Sequence, residues 1–167
     1  MSIADVMLAE FEQEAKNTRL LLERVPAAKA DFKPHERSYS LSDLSVHIAN
    51  LPVWAVMTVN GTELDLNPPS GPGWTPPRYE SPAATVDTLD ENVKNATEAI
   101  AATSDTEMMV NWTLKNAGEH ILTMPRVAVL RSFVFNHMIH HRGQLTVYLR
   151  MCDVPLPPIY GPTADQS

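Results

Sequence analysis

The chain has 167 residues, 44% of them hydrophobic, and a formal charge of −7, the size and composition of one globular domain with a real core, residues 1–167. The acidic balance, with no cluster of Lys and Arg beyond ordinary helix faces, excludes a phosphate-tracking surface, so no nucleic acid is expected as a partner. No apolar run reaches the roughly 20 residues that span a bilayer, and Asp5, Glu10, Glu12 and Glu14 stand where a leader would be basic and then apolar, so a cytoplasmic protein with no membrane association is expected.

Val6, Met7, Phe11, Ala15, Leu21 and Leu22 recur at helical spacing within residues 2–25, which predicts a first amphipathic helix ended by Pro26. A polar connection follows to Tyr39. Ser40 and Asp43 then resemble a capping box, ahead of a second helix running to Asn60-Gly61 with Leu44, His47, Ile48, Leu51 and Ala55 on one stripe. Pro52 falls inside it, where it removes the bond to the Ile48 carbonyl and predicts a kink one turn past His47. Residues 62–82 hold Pro68, Pro69, Pro72, Pro76, Pro77 and Pro82. They predict a long crossover loop without regular structure, ordered by Trp74 and Tyr79.

Val86, Leu89, Val93, Ala96 and Ile100 are spaced for a third helix. The period then changes to two at Val110, Trp112 and Leu114, before Asn116-Ala117-Gly118, which predicts a short β-hairpin over residues 108–124. Pro125 suits the first turn of a fourth and longest helix, whose inward stripe is Val127, Leu130, Val134, His137, Met138, His141, Leu145, Tyr148 and Leu149. The proline-rich tail from Asp153 is too apolar for a free end and is expected to lie back on the body. The expected fold is all-α: a four-helix bundle with long crossover connections, plus the hairpin before the last helix.

Six histidines are present. His137 and His141 lie four residues apart on one stripe, about 40° apart around the axis and about 6 Å along it, so both imidazoles can converge on one cation. A buried pair satisfied by neighbouring side chains fits the same spacing. His47 alone reads as a core histidine, but bundle metal sites are assembled from facing helices, and three neutral imidazoles leave a coordination position open. His140 points to a flank or the surface, and His35 and His120 to loops. Gly143 suggests a close helix approach, Arg142 a surface or interface ion pair, Gln144 the rim of the site, and Asp43 a helix-start acid. Cys152, the single cysteine, reads as a buried, inert thiol.

The residues Leu41-Ser42-Asp43-Leu44-Ser45-Val46-His47-Ile48-Ala49-Asn50, His137-Met138-Ile139-His140-His141-Arg142-Gly143-Gln144-Leu145 and Pro158-Ile159-Tyr160-Gly161-Pro162 resemble the DinB/YfiT-like metalloenzyme superfamily over nearly the whole chain. The resemblance implies a bundle of crossover topology, a homodimer, and a divalent metal, zinc or nickel first among the candidates, held by His47, His137 and His141. It further implies transferases or isomerases that use a low-molecular-weight thiol such as bacillithiol, mycothiol or glutathione.

The leading functional expectation is an enzyme acting on a small-molecule substrate, of hydrolase or thiol transferase type, in which water or a thiol at the open position is acidified by the cation. The alternatives are a non-catalytic metal-binding or ligand-sensing protein, and a structural bundle with ordinary core histidines. Three imidazoles also suit iron or copper.

Overall fold

A computed structural model describes residues 1–73, 75 and 77–166. Ser2 opens α1 (Ile3–Leu22) with the reciprocal pair expected of a helix start: its Oγ accepts from the Asp5 N–H at 3.1 Å, and its own N–H donates to the Asp5 carboxylate at 2.7 Å. Asp105, distant in sequence, takes a further free donor, the Ile3 N–H, at 2.7 Å. Met7, Phe11, Leu21 and Leu22 are buried along the helix.

Ser40 caps α2 (Leu41–Asn50) by accepting from the Asp43 N–H at 3.0 Å, and Asp43 acts there as a helix-start acid. The second helix is interrupted, not merely bent. Leu51 and Pro52 keep right-handed helical dihedrals, but the hydrogen bonds tighten to three-residue steps, Leu51 N–H to the Ile48 carbonyl and Trp54 N–H to the Leu51 carbonyl. Pro52 lacks the N–H that would continue the ladder. The chain resumes as α3 (Val53–Asn60).

The connection that follows departs from expectation at its start. Glu63–Asp65 form a strand, β1, parallel to β2 (Asn111–Asn116) and fixed by the Lys115 ammonium on the Glu63 carboxylate at 2.7 Å. A three-residue strand between proline and glycine residues carries too little alternation to be read from sequence. Further along, Pro77, Arg78 and Glu80 lie against Val46, Asn50 and Thr88, around a cavity of about 250 Å³. The expected packing of Trp74 lies outside the described residues, and Tyr79 is half-buried.

Ser81 caps α4 (Pro82–Ala101), with Pro82 in the first turn, and Ser104 caps the short α5 (Asp105–Met108). The hairpin forms as expected, β2 pairing antiparallel with β3 (Glu119–Pro125). Ala117 and Gly118 both take positive φ, 52° and 81°, the turn whose twist matches that of paired strands. Trp112 and Leu114 of β2 bury with Val129 against Trp54 and Phe133, so the sheet rests on the helices.

The last helix is continuous in path but not uniform: α6 (Arg126–Val129), a π-helical stretch over Leu130–Asn136, and α7 (His137–Met151). Asp153, at φ 58°, ends it, with the Val154 N–H on the Leu149 carbonyl and the Asp153 N–H on the Arg150 carbonyl. The tail turns back as expected: Val154, Leu156 and Ile159 pack on the core, and Asp165 holds Arg150 and the Leu156 N–H. The architecture among the described residues is mostly helical with a three-stranded sheet in the order β1-β2-β3. α4 packs on α1, α2 and α3, and α7 packs on α1 and α2.

Candidate metal centre

Three side chains meet where α2 faces α7. His47 comes from the middle of α2, His137 is the first residue of α7, and His141 follows one turn later. One ring nitrogen from each can be chosen so that all three lie within 4.8 Å of one another. The Nε2 atoms of His47 and His137 are 3.4 Å apart. Two nitrogens held about 2.1 Å from one tetrahedral cation would be separated by about 3.4 Å, so this pair already stands at ligand spacing.

The helix path contributes to that meeting. The π-helical stretch ends where His137 begins, and its wide turn buries Val134 and Phe135 side by side before α7 restores the ordinary pitch. Such turns concentrate at functional sites because they re-aim the next side chains. Met138, Arg142, Leu145 and Leu149 form the buried centre of α7, which leaves His137 and His141 at its edge, half-exposed.

Each histidine has its own support. Nδ1 of His141 donates to Oε1 of Gln144 at 2.7 Å, which leaves Nε2 as the free lone pair. At His137 the Phe133 backbone carbonyl favours the charged form of the ring. The Tyr39 ring stacks on His47, with centroids 5.7 Å apart and planes at 24°, and meets His141 edge-on at 6.4 Å. Tyr39 is itself held by its carbonyl, which accepts from the Tyr148 hydroxyl of α7 at 3.1 Å.

Burial favours the neutral imidazoles. It pushes His47 from 6.5 down to about 4, with the neighbouring His141 and His137 adding to the effect. His137 is lowered mainly by burial and then by His141, against the contact with the Phe133 carbonyl. His141 is lowered mainly by burial, against the Gln144 hydrogen bond that favours its charged form. All three are therefore neutral near pH 7 and able to ligate. Neutral nitrogen donors with no carboxylate among them fit a borderline cation such as zinc or nickel, not calcium or magnesium, which require oxygen.

The remaining sequence expectations divide. His140 is exposed and stays out of the cluster, although its ring is 4.9 Å from that of His141. His35 and His120 are exposed loop and strand residues remote from it in their bonding, to the Arg37 N–H and to Thr123. Gln144 does reach the site. Arg142 is the clearest correction: it is not a surface residue but 2% exposed, paired with Glu14 at 2.5 Å and bonded to the Tyr160 hydroxyl of the tail. Its spacing of four from Met138 and three from Leu145 was the signal that placed it inward. Gly143 is exposed with open space where a Cβ would lie, so no close helix approach requires it. Tyr39 was missed, because a loop aromatic has no periodicity to mark it. Cys152 is only partly covered, and that burial raises its thiol.

Comparison with known proteins bears on the family and the fold. The DinB family model matches residues 1–167. Among solved structures, a DinB-like protein from Bacillus cereus ATCC 10987 superposes with a TM-score of 0.72 at 19% identity, covering 95% of this chain and 98% of its own. A DinB-like protein from Bacillus subtilis, YjoA, gives 0.67 at 17% identity, covering 93% and 98%. No curated protein matches the chain. A family match over the full length, on a fold shared with DinB-like structures, makes this chain a member of the DinB family.

Proposed function

We propose that this protein is a divalent-metal-dependent enzyme acting on a small molecule, of hydrolase or low-molecular-weight-thiol transferase type, with His47, His137 and His141 holding the metal. The observation that carries the reading is the convergence of three neutral imidazoles from two facing helices, with His47 and His137 already at ligand spacing. The 3.4 Å between Nε2 of His47 and Nε2 of His137 is long for a hydrogen bond and equals the spacing of two ligands on one tetrahedral cation. When bound, the cation would act as a Lewis acid on an oxygen or sulfur at a position that the three histidines leave free.

The chain's own residues do the rest. Gln144 fixes the ring orientation of His141, and Tyr39 covers one side of His47. Zinc or nickel suits the donor set best, and bacillithiol, mycothiol or glutathione is the class of co-substrate proposed for thiol transfer. The wider reading includes a single domain over residues 1–167, and four rods formed by α1, α2 with α3, α4, and α6 with α7. It further includes a homodimer and a cytoplasmic location.

Elemental analysis of untagged protein tests the metal assignment. About one zinc or nickel per chain is expected, and His47→Ala, His137→Ala and His141→Ala should each loosen it by about 10-fold or more. Stoichiometric metal retained by His47→Ala would remove that residue from the site. Thiol-transfer assays across several electrophiles, beside ester and amide hydrolysis, then separate the two reaction types.

A further inference from the structure

Tyr39 combines three properties that no structural task requires together. Its backbone is fixed: the carbonyl accepts from Tyr148, and the flanking Leu41 and Ser42 N–H groups bond to the Phe32 and Ala30 carbonyls. Its ring lies on two of the three histidines. Yet the residue remains 50% exposed, and its hydroxyl bonds to no described residue. A half-exposed aromatic side chain thus lies against His47 and His141 of the cluster, with a free donor to offer.

We propose that Tyr39 is a substrate-contacting residue of the metal centre, whose ring forms one wall of the entrance and whose hydroxyl donates to an oxygen of the bound molecule. The inference rests on the metal reading above. The ligand class follows from the two parts of the side chain: a small molecule with an acceptor oxygen next to an apolar or aromatic group, the oxygen near the histidines and the apolar part against the ring. Neither part alone would need a tyrosine, since phenylalanine supplies the wall and serine the donor.

The full-length protein loaded with Co(II) allows a test by visible absorption, because Co(II) in such a donor set reports what binds it. The probes are benzohydroxamate, which has acceptor oxygens and a ring, and acetohydroxamate, which has the oxygens only. Tyr39→Phe should weaken both by about 3- to 10-fold, the range of one hydrogen bond. Tyr39→Ala should weaken benzohydroxamate by about a further 10-fold and acetohydroxamate by little more than Tyr39→Phe does, beyond any change in Co(II) occupancy, which is measured in each variant. Unchanged probe affinities in both variants, with Co(II) bound, would overturn the assignment. So would a loss of Co(II) in Tyr39→Ala large enough to account for the weaker probe binding, because Tyr39 would then support His47 and not the substrate. Wild type that takes up no Co(II) would overturn the metal reading, and this inference with it.

Discussion

At the scale of single residues, the site depends on which nitrogen of each ring is free. Gln144 accepts from Nδ1 of His141 and so presents Nε2 to the cluster. Such partners of ligating histidines commonly affect metal affinity 10- to 100-fold. Gln144→Ala should therefore loosen zinc by about 10-fold with the fold intact, as measured by competition with a chromophoric chelator, whereas His140→Ala should leave affinity near wild type. An emptied site in His140→Ala would reverse the choice of the i, i+4 pair over the i, i+3 pair. The pair His137 and His141 was legible as two histidines one turn apart on an apolar stripe, whereas His47 alone read as a core histidine and joined them only through the bundle argument and the family resemblance. Tyr39 was not, for its role comes from tertiary placement of a loop, and local spacing does not carry that.

At the scale of elements, α1, α7 and the tail are joined by one buried group of charges. Arg142 and Glu14 are 2% and 6% exposed, the Arg142 guanidinium also reaches the Glu14 backbone carbonyl at 3.0 Å, and the Tyr160 hydroxyl donates to Glu14 at 2.6 Å. Removing one charge from such a pair leaves the other buried without compensation, at a cost of about 3–5 kcal/mol. Glu14→Gln should lose stability on that scale in urea unfolding, and the double variant Glu14→Leu/Arg142→Met should recover part of it. A loss under about 1 kcal/mol would show that water reaches the pair. The elements most legible in the sequence were those with strong periodicity or clear caps: α1, α4 and the hairpin, with the start of α2 at Ser40. Those that were not depended on partners elsewhere. β1 exists only because β2 is beside it, the π-helical stretch only because Val134 and Phe135 both find the core, and Arg142 is inside only because Glu14 waits there.

At the scale of the molecule, protonation is linked to folding through the three rings, and under the proposed reading metal binding would be linked to it through the same rings. In the metal-stripped protein His47 titrates at about 4 when folded, against about 6.5 for an unperturbed imidazole. Its folded value is depressed, so the unfolded chain binds more protons between those limits. The contribution to stability is complete above about pH 6.5 and is lost as pH falls toward about 4, and His137 and His141, lowered in the same direction, steepen the loss. His47→Ala should flatten that acid slope in stripped protein, read from melts between pH 7 and pH 4. Metal should persist to lower pH than ordinary imidazoles would allow, because protons compete with it less well at a depressed ring. Thermal unfolding of the stripped protein with and without zinc or nickel, at pH 7.5 and at pH 4, tests the central claim most directly. A metal bound only by the folded triad raises the melting temperature at pH 7.5, by an amount that grows with metal concentration, and raises it less at pH 4, where protons compete for the rings. Equal melting temperatures with and without metal at pH 7.5 would contradict a metal centre at His47, His137 and His141.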